Sequence, residues 1–156
     1  MKNILYKFIF TSILLLLGVA MLKAQINESV LKNMVQSKKF IFQADMAIPQ
    51  EGQQVRLTPQ YTFTVSNDTI SAALPYFGKA FKAPANPANV SIDFITTNFT
   101  YSSEVKSSGW EISIKPDRLP DVRDIFLDIY TNGKATLRIM SVNRQNISYN
   151  GYIVYE

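Results

Sequence analysis

The chain has 156 residues, with 16 Lys and Arg against 12 Asp and Glu, no cysteine and no histidine. Lacking both residue types, it is excluded from Ser-His-Asp and Cys-His catalysis, thiol redox chemistry and the usual zinc and copper ligand sets. No cofactor is called for. Nucleic acid is not an expected partner either, because the basic residues do not cluster and Lys38-Lys39 is only a pair.

Lys2 and Lys7 flank the start of an apolar stretch, Phe8 to Leu22, interrupted by Thr11, Ser12 and Gly18 and followed by Lys23-Ala24-Gln25. Positive, apolar and small, in that order, is the pattern of an export signal cut after Ala24. The alternative, a retained anchor, needs about 20 apolar residues, and this run is shorter. Removal of residues 1–24 takes Lys2, Lys7 and Lys23 from the 16 basic residues, so 13 face 12 acidic ones and the net charge is +1. The expected product is periplasmic or secreted, with no cysteine to carry a lipid and no stable membrane anchor. Residues 25–156 suit one domain, large enough to bury a core without disulfides.

Ile26, Val30, Leu31, Met34 and Val35 recur at helical spacing behind Asn27, a plausible N-cap, and predict one amphipathic helix over 27–39. From Phe40 the period becomes two: Phe40, Phe42, Ala44, Met46 and Ile48 share one face of a strand that Pro49 ends. Leu57 to Val65 alternates likewise, and a two-residue Asn67-Asp68 turn sets Val65 opposite Ile70 and Phe63 opposite Ala72. Pro75 to Pro87 reads as a connection rich in proline and aromatic residues. Strands over 92–97 and 99–106 come next. A two-residue turn at Ser108-Gly109 would pair Val105 with Ile112 and Lys106 with Glu111. At Thr131-Asn132-Gly133 a three-residue loop matches Ile129 with Ala135, Leu127 with Leu137 and Ile125 with Ile139; a two-residue loop would not. A last strand, about 147–155, closes the meander. The fold class is therefore mostly β with one N-terminal helix: an antiparallel meander of about eight or nine strands, barrel or sandwich.

Two groups of residues are candidates for chemistry. Asp117, Asp121, Asp124 and Asp128 would align on a helix, but the register makes Asp124 to Tyr130 a strand, and solvated ion pairs with Arg118 and Arg123 are the simpler reading. The aromatic segment Leu74-Pro75-Tyr76-Phe77-Gly78-Lys79-Ala80-Phe81 either lines the mouth of a barrel or plugs one end of its core. Tyr76, Phe77, Phe81 and Trp110 are the candidate ligand contacts, and no residue is assigned as catalytic or metal-binding. Asp68-Thr69-Ile70 is an Asp-Ser/Thr-apolar triplet at a predicted turn, which makes Thr69 a candidate for O-glycosylation.

Asn67-Asp68-Thr69-Ile70, Leu74-Pro75-Tyr76-Phe77-Gly78, Gly109-Trp110-Glu111-Ile112, Gly133-Lys134-Ala135-Thr136-Leu137 and Ser148-Tyr149-Asn150-Gly151 occur in that order. Over about Phe40 to Tyr155 the chain thereby resembles a family of small exported proteins of Gram-negative bacteria, many of them lipoproteins, catalogued as a domain of unknown function. The resemblance implies an envelope location and a single domain, and no catalytic residues. The chain departs from that pattern in lacking the lipid-bearing cysteine. The leading expectation is a non-enzymatic binding module for a small apolar or sugar ligand. The alternatives are an envelope assembly protein that pairs through an edge strand, with the last strand as candidate, and a hydrolase that works with carboxylates alone.

Overall fold

The computed structural model describes residues 27–81 and 91–155. The predicted export signal, residues 1–24, lies outside the described residues, as does the 82–87 part of the predicted connection. Helix α1 is Glu28–Ser37, capped by Asn27, whose Oδ1 accepts from the Ser29 N–H at 3.1 Å. It stops before the expected Lys39 because Lys38 turns left-handed (φ 53°) and donates its N–H to the Met34 and Val35 carbonyls. Leu31, Met34 and Val35 form its buried stripe. No helix among the described residues is long and apolar enough to cross a membrane.

Ten strands follow: β1 (Lys39–Pro49), β2 (Val55–Arg56), β3 (Thr62–Ser66), β4 (Thr69–Pro75), β5 (Ser91–Thr96), β6 (Phe99–Lys106), β7 (Gly109–Pro116), β8 (Val122–Tyr130), β9 (Lys134–Ser141) and β10 (Ile147–Val154). They make one sheet in the order β5-β4-β3-β1-β10-β9-β8-β7-β6, with the short β2 added beside β1. All these pairs are antiparallel. The first and last long strands lie side by side, Ile41 opposite Val154 and Pro49 opposite Ile147. The last strand therefore does close the meander, but it is internal, and the sheet's edges are β5 and β6.

Those edges are consecutive in sequence, separated only by Thr97 and Asn98. In a flat sheet the eight intervals between β5 and β6 would set them about 38 Å apart, at roughly 4.8 Å per strand. From Thr96 to Phe99 the chain reaches at most about 11 Å. The sheet must therefore curl until its two edges meet at this corner, which gives a half-barrel with one concave face.

The concave face carries the core. Phe40 and Phe42 (β1), Phe63 and Val65 (β3), Ile70 and Leu74 (β4), Ile112 and Ile114 (β7), Ile125 and Leu127 (β8), Leu137 and Ile139 (β9) and Tyr149 (β10) are all buried there. Each such side chain contributes roughly 1.5–3 kcal/mol. The β3–β4 and β8–β9 registers are those expected: Val65–Ile70 and Phe63–Ala72, then Ile129–Ala135, Leu127–Leu137 and Ile125–Ile139. Gly133 takes φ 81°, as the three-residue loop requires.

Three strand expectations change. The alternation from Leu57 to Val65 is broken: β2 ends at Arg56 and β3 begins at Thr62, with a turn between them. In β1 a bulge shifts the register between Ala44 and Met46, so Ala47 turns inward and the expected Met46 and Ile48 do not. At the β6–β7 hairpin the turn is Ser107-Ser108, setting Lys106 opposite Gly109 and Val105 opposite Trp110. The reason is Gly109. It belongs to the strand at φ 145°, and a Cβ there would lie 1.9 Å from the Ile129 carbonyl oxygen of β8. Its glycine is needed for close backbone approach, not for the turn.

Gly109→Ala is accordingly expected to cost about 2–4 kcal/mol, read as a lowered denaturant midpoint, while Ser108→Ala should stay within about 0.5 kcal/mol of the parent. Equal midpoints for the two variants would contradict this account of the hairpin.

Candidate functional site

The 76–81 segment leaves β4 and folds back on the loop between β9 and β10. The Gln145 N–H donates to the Lys79 carbonyl at 3.0 Å, the Phe81 N–H to the Asn143 carbonyl at 2.7 Å, and Ala80 bridges to Arg144. Tyr76 is buried, its hydroxyl within 3.0 Å of the Gln145 carbonyl and 3.1 Å of the Lys79 carbonyl. Phe77 is half-buried against the core, whereas Phe81 is 70% exposed. Of the two readings open in the sequence, the end plug describes Tyr76 and Phe77. Trp110 stands apart from them: it is an interior residue of β7, opposite Ile129 and near the other edge of the sheet. The four candidate ligand contacts are thus not gathered around one opening.

Arg144 organises this end, and nothing in the polar run Ser141 to Asn146 marks it out in the sequence. Its guanidinium sits 4.8 Å from the centre of the Tyr76 ring, 3.5 Å from Asp121 Oδ2, and donates to the Ser91 carbonyl at 3.3 Å. Outside it, Lys79 Nζ meets Glu51 Oε2 at 2.8 Å while Gln145 Nε2 donates to Glu51 Oε1 at 2.9 Å. The Lys79 ammonium, helped by the Gln145 amide, holds the Glu51 carboxyl below its ordinary range. These groups satisfy one another, so the plug is built for closure.

The aspartates are dispersed. Asp128 pairs with Arg138 at 3.0 Å, Asp124 with Arg123 at 2.9 Å, Asp121 with Arg144, and Asp117 with Arg118 at 3.8 Å. Among the described residues no three metal-ligating side chains come together. Thr69 opens β4 immediately after the turn, and its hydroxyl donates to Asp68 Oδ1 at 3.0 Å.

Two further tyrosines tie the half-barrel across its interior. Tyr149 of β10 donates to the Pro75 carbonyl at the end of β4 at 2.7 Å. Tyr101 of the edge strand β6 donates to the Val35 carbonyl of α1 at 3.2 Å, with Lys38 Nζ 5.1 Å from the centre of its ring. Burial raises the pKa of both, and of Tyr76 despite Arg144.

A concavity lies open at the corner where β5 leads into β6. A cleft of about 480 Å³ is lined by Thr97, Asn98, Phe99, Thr100, Lys115, Pro116 and Asp117. The ladder places Phe99 opposite Pro116 and Thr100 opposite Lys115. The Asp117 N–H donates to the Asn98 carbonyl at 2.8 Å, and the Asn98 N–H to Thr96 Oγ1 at 3.1 Å, which fixes the corner's backbone. Among the described residues, the side chains of Thr97, Asn98, Thr100 and Lys115 have no hydrogen-bond or ion-pair partner. The cleft's residues come together through the β6–β7 ladder, whose register differs from the one the Ser108-Gly109 turn would set.

Comparison with known proteins adds family and fold. The model of a family described as "Domain of unknown function (DUF4251)" matches residues 22–153. The fold is similar to the crystal structure of a DUF4251 family protein from Bacteroides eggerthii, with a TM-score of 0.62 and 13% identity, covering 84% of this chain and 89% of that one. No curated protein matches.

The tyrosine shifts carry a pH consequence. An unfolded tyrosine ionises at about pH 10, while the folded Tyr101 and Tyr149 keep their protons higher. Above that pH the unfolded state binds fewer protons than the folded one. The stability these groups give is therefore complete below pH 10 and is lost as the pH rises towards their raised values. The denaturant midpoint should fall above about pH 10, and spectrophotometric titration should show late tyrosines that ionise early once denaturant is added. Titration of all tyrosines together in the native protein would refute the ties.

Proposed function

The chain belongs to the DUF4251 family, and from that premise we propose that it is a non-enzymatic binding module, exported to the periplasm or beyond, that holds a small ligand in the corner cleft. The observation that carries the reading is the contrast between two polar clusters of the fold. At the plug, Tyr76, Arg144, Gln145 and Glu51 are committed to one another. In the cleft, the exposed side chains of Thr97, Asn98, Thr100 and Lys115 stand at a hydrogen-bonded backbone corner and are committed to nothing among the described residues. Unspent polar groups lining a concavity are what a pre-formed ligand site presents. The succession of lysine, apolar run and Ala24 over residues 1–24 supports export.

Pairing through an edge strand is a second reading. Residues 102–106 of β6 are exposed, and Val105 and Ile95 are 77% and 75% exposed on the two edge strands. Edges without a partner strand among the described residues can accept a further one.

Native mass spectrometry of the protein from its host's envelope fraction tests both. The expected species begins at Gln25 and carries a small adduct that denaturation removes and Thr100→Arg abolishes. A bare chain would count against the binding reading, and a bound polypeptide would favour the edge strand.

A further inference from the structure

Resting on the edge-strand reading, we infer that β6 pairs antiparallel with β6 of a second copy of this chain, about a two-fold axis through Val105. The phase of the β6–β7 ladder shows which backbone groups are available. Asp117 donates its N–H to the Asn98 carbonyl, and Pro116, opposite Phe99, has no N–H to give. The register then runs without a break from Phe99 to Lys106. Thr100, Ser102, Glu104 and Lys106 therefore direct their N–H and C=O groups at β7, while Tyr101, Ser103 and Val105 direct theirs away from it. On that side β6 has no partner strand among the described residues.

Both faces of the sheet stop unfinished at this edge. On the concave face a row of the core crosses the strands from Ala135 to Ile129 to Trp110, each opposite the next, and reaches Val105. The first three are buried, whereas Val105 is 77% exposed. On the convex face the neighbouring row is Asp128, Glu111 and Glu104. Its cations are Arg138, 3.0 Å from Asp128, and Lys106, 2.7 Å from Glu104 and 3.7 Å from Glu111. Three carboxylates thus share two cations, and like charges directly opposite one another are unfavourable. One more positive group at the open end would balance the row.

A second copy supplies both needs in one register. With Val105 opposite the partner's Val105, the two exchange backbone hydrogen bonds, and the apolar row continues into the partner's Trp110. Glu104 then lies opposite the partner's Lys106, and Lys106 opposite the partner's Glu104, so four charges alternate around the axis. Neighbouring registers do less. An axis through Glu104 sets like carboxylates face to face, and one through Ser103 leaves each charge opposite a serine or a threonine. Read antiparallel, the complement of Glu104-Val105-Lys106 is the same triplet, which is why the occupant is a second copy rather than an unrelated strand. The contact is confined to one end of one strand in each copy. It buries less than the roughly 800 Å² per partner of a standard interface, so association is weak and concentration-dependent.

Sedimentation equilibrium of the mature protein, taken up to about 1 mM, tests the pairing. The parent is expected to dimerise reversibly. Glu104→Lys alone and Lys106→Glu alone should each weaken association about tenfold or more, since each sets like charges opposite one another across the axis. An equimolar mixture of the two variants should restore dimers, because every lysine then faces a glutamate of the other copy. Both side chains are exposed, so the amide spectra of the variants should retain the parent's fold. A parent that stays monomeric at about 1 mM would overturn the inference. So would a dimer indifferent to the single reversals, or one that the mixture fails to restore. The edge-strand reading is judged separately: a polypeptide of another sequence on the envelope-purified protein, without self-association, would leave that reading standing and remove this one.

Discussion

Everything in this fold follows from one geometric constraint: the two edges of a nine-strand path are joined by two residues, Thr97 and Asn98. Strand spacing alone would hold β5 and β6 tens of ångströms apart, so the linker turns a sheet into a curved shell with an inside and an outside. The curvature gathers aromatic and branched side chains from strands far apart in order into one core. It also brings the end of β5 and the start of β6 together at a corner, and a cleft lies beside it.

A curved sheet that does not close must be finished by other means, and three hydroxyls show how. Tyr149 links β10 to the end of β4, Tyr76 links the plug to the β9–β10 loop, and Tyr101 links the edge strand β6 to α1. Each joins elements that are not neighbours in the sheet, so each resists opening of the shell rather than sliding of a strand. A buried tyrosine suits this task because it fills core volume and satisfies an otherwise unpaired carbonyl at the shell's margin. The helix contributes its apolar stripe and reaches from β1, where its chain continues, to β6, five places away in strand order.

This division of labour bears on function. Groups that close the shell are spent on one another, and the Arg144 cluster is the clearest case. The corner differs because its backbone is fixed by the sheet while its side chains are not used for fixing it. The same corner joins β5 and β6, the two ends of the strand order among the described residues.

Much of this was legible in the chain itself. Local patterns determined α1 with its Asn27 cap, the period-two strands, the Asn67-Asp68 and Thr131-Asn132-Gly133 turns and their registers, because these depend on neighbours in sequence and on which side chains must face inward. The absence of cysteine and histidine bounded the chemistry in the same direct way. Only the tertiary structure decided the rest. Gly109 reads as a turn residue until β8 is packed against it, and the β1 bulge is invisible until β10 sets its register. Arg144 lies in an ordinary polar loop until the 76–81 segment folds over it. Thr100 meets Lys115 because the approach of Gly109 to β8 moves the hairpin turn to Ser107-Ser108. In each case the deciding partner is distant in sequence, and packing between distant segments leaves no local period for a single sequence to display.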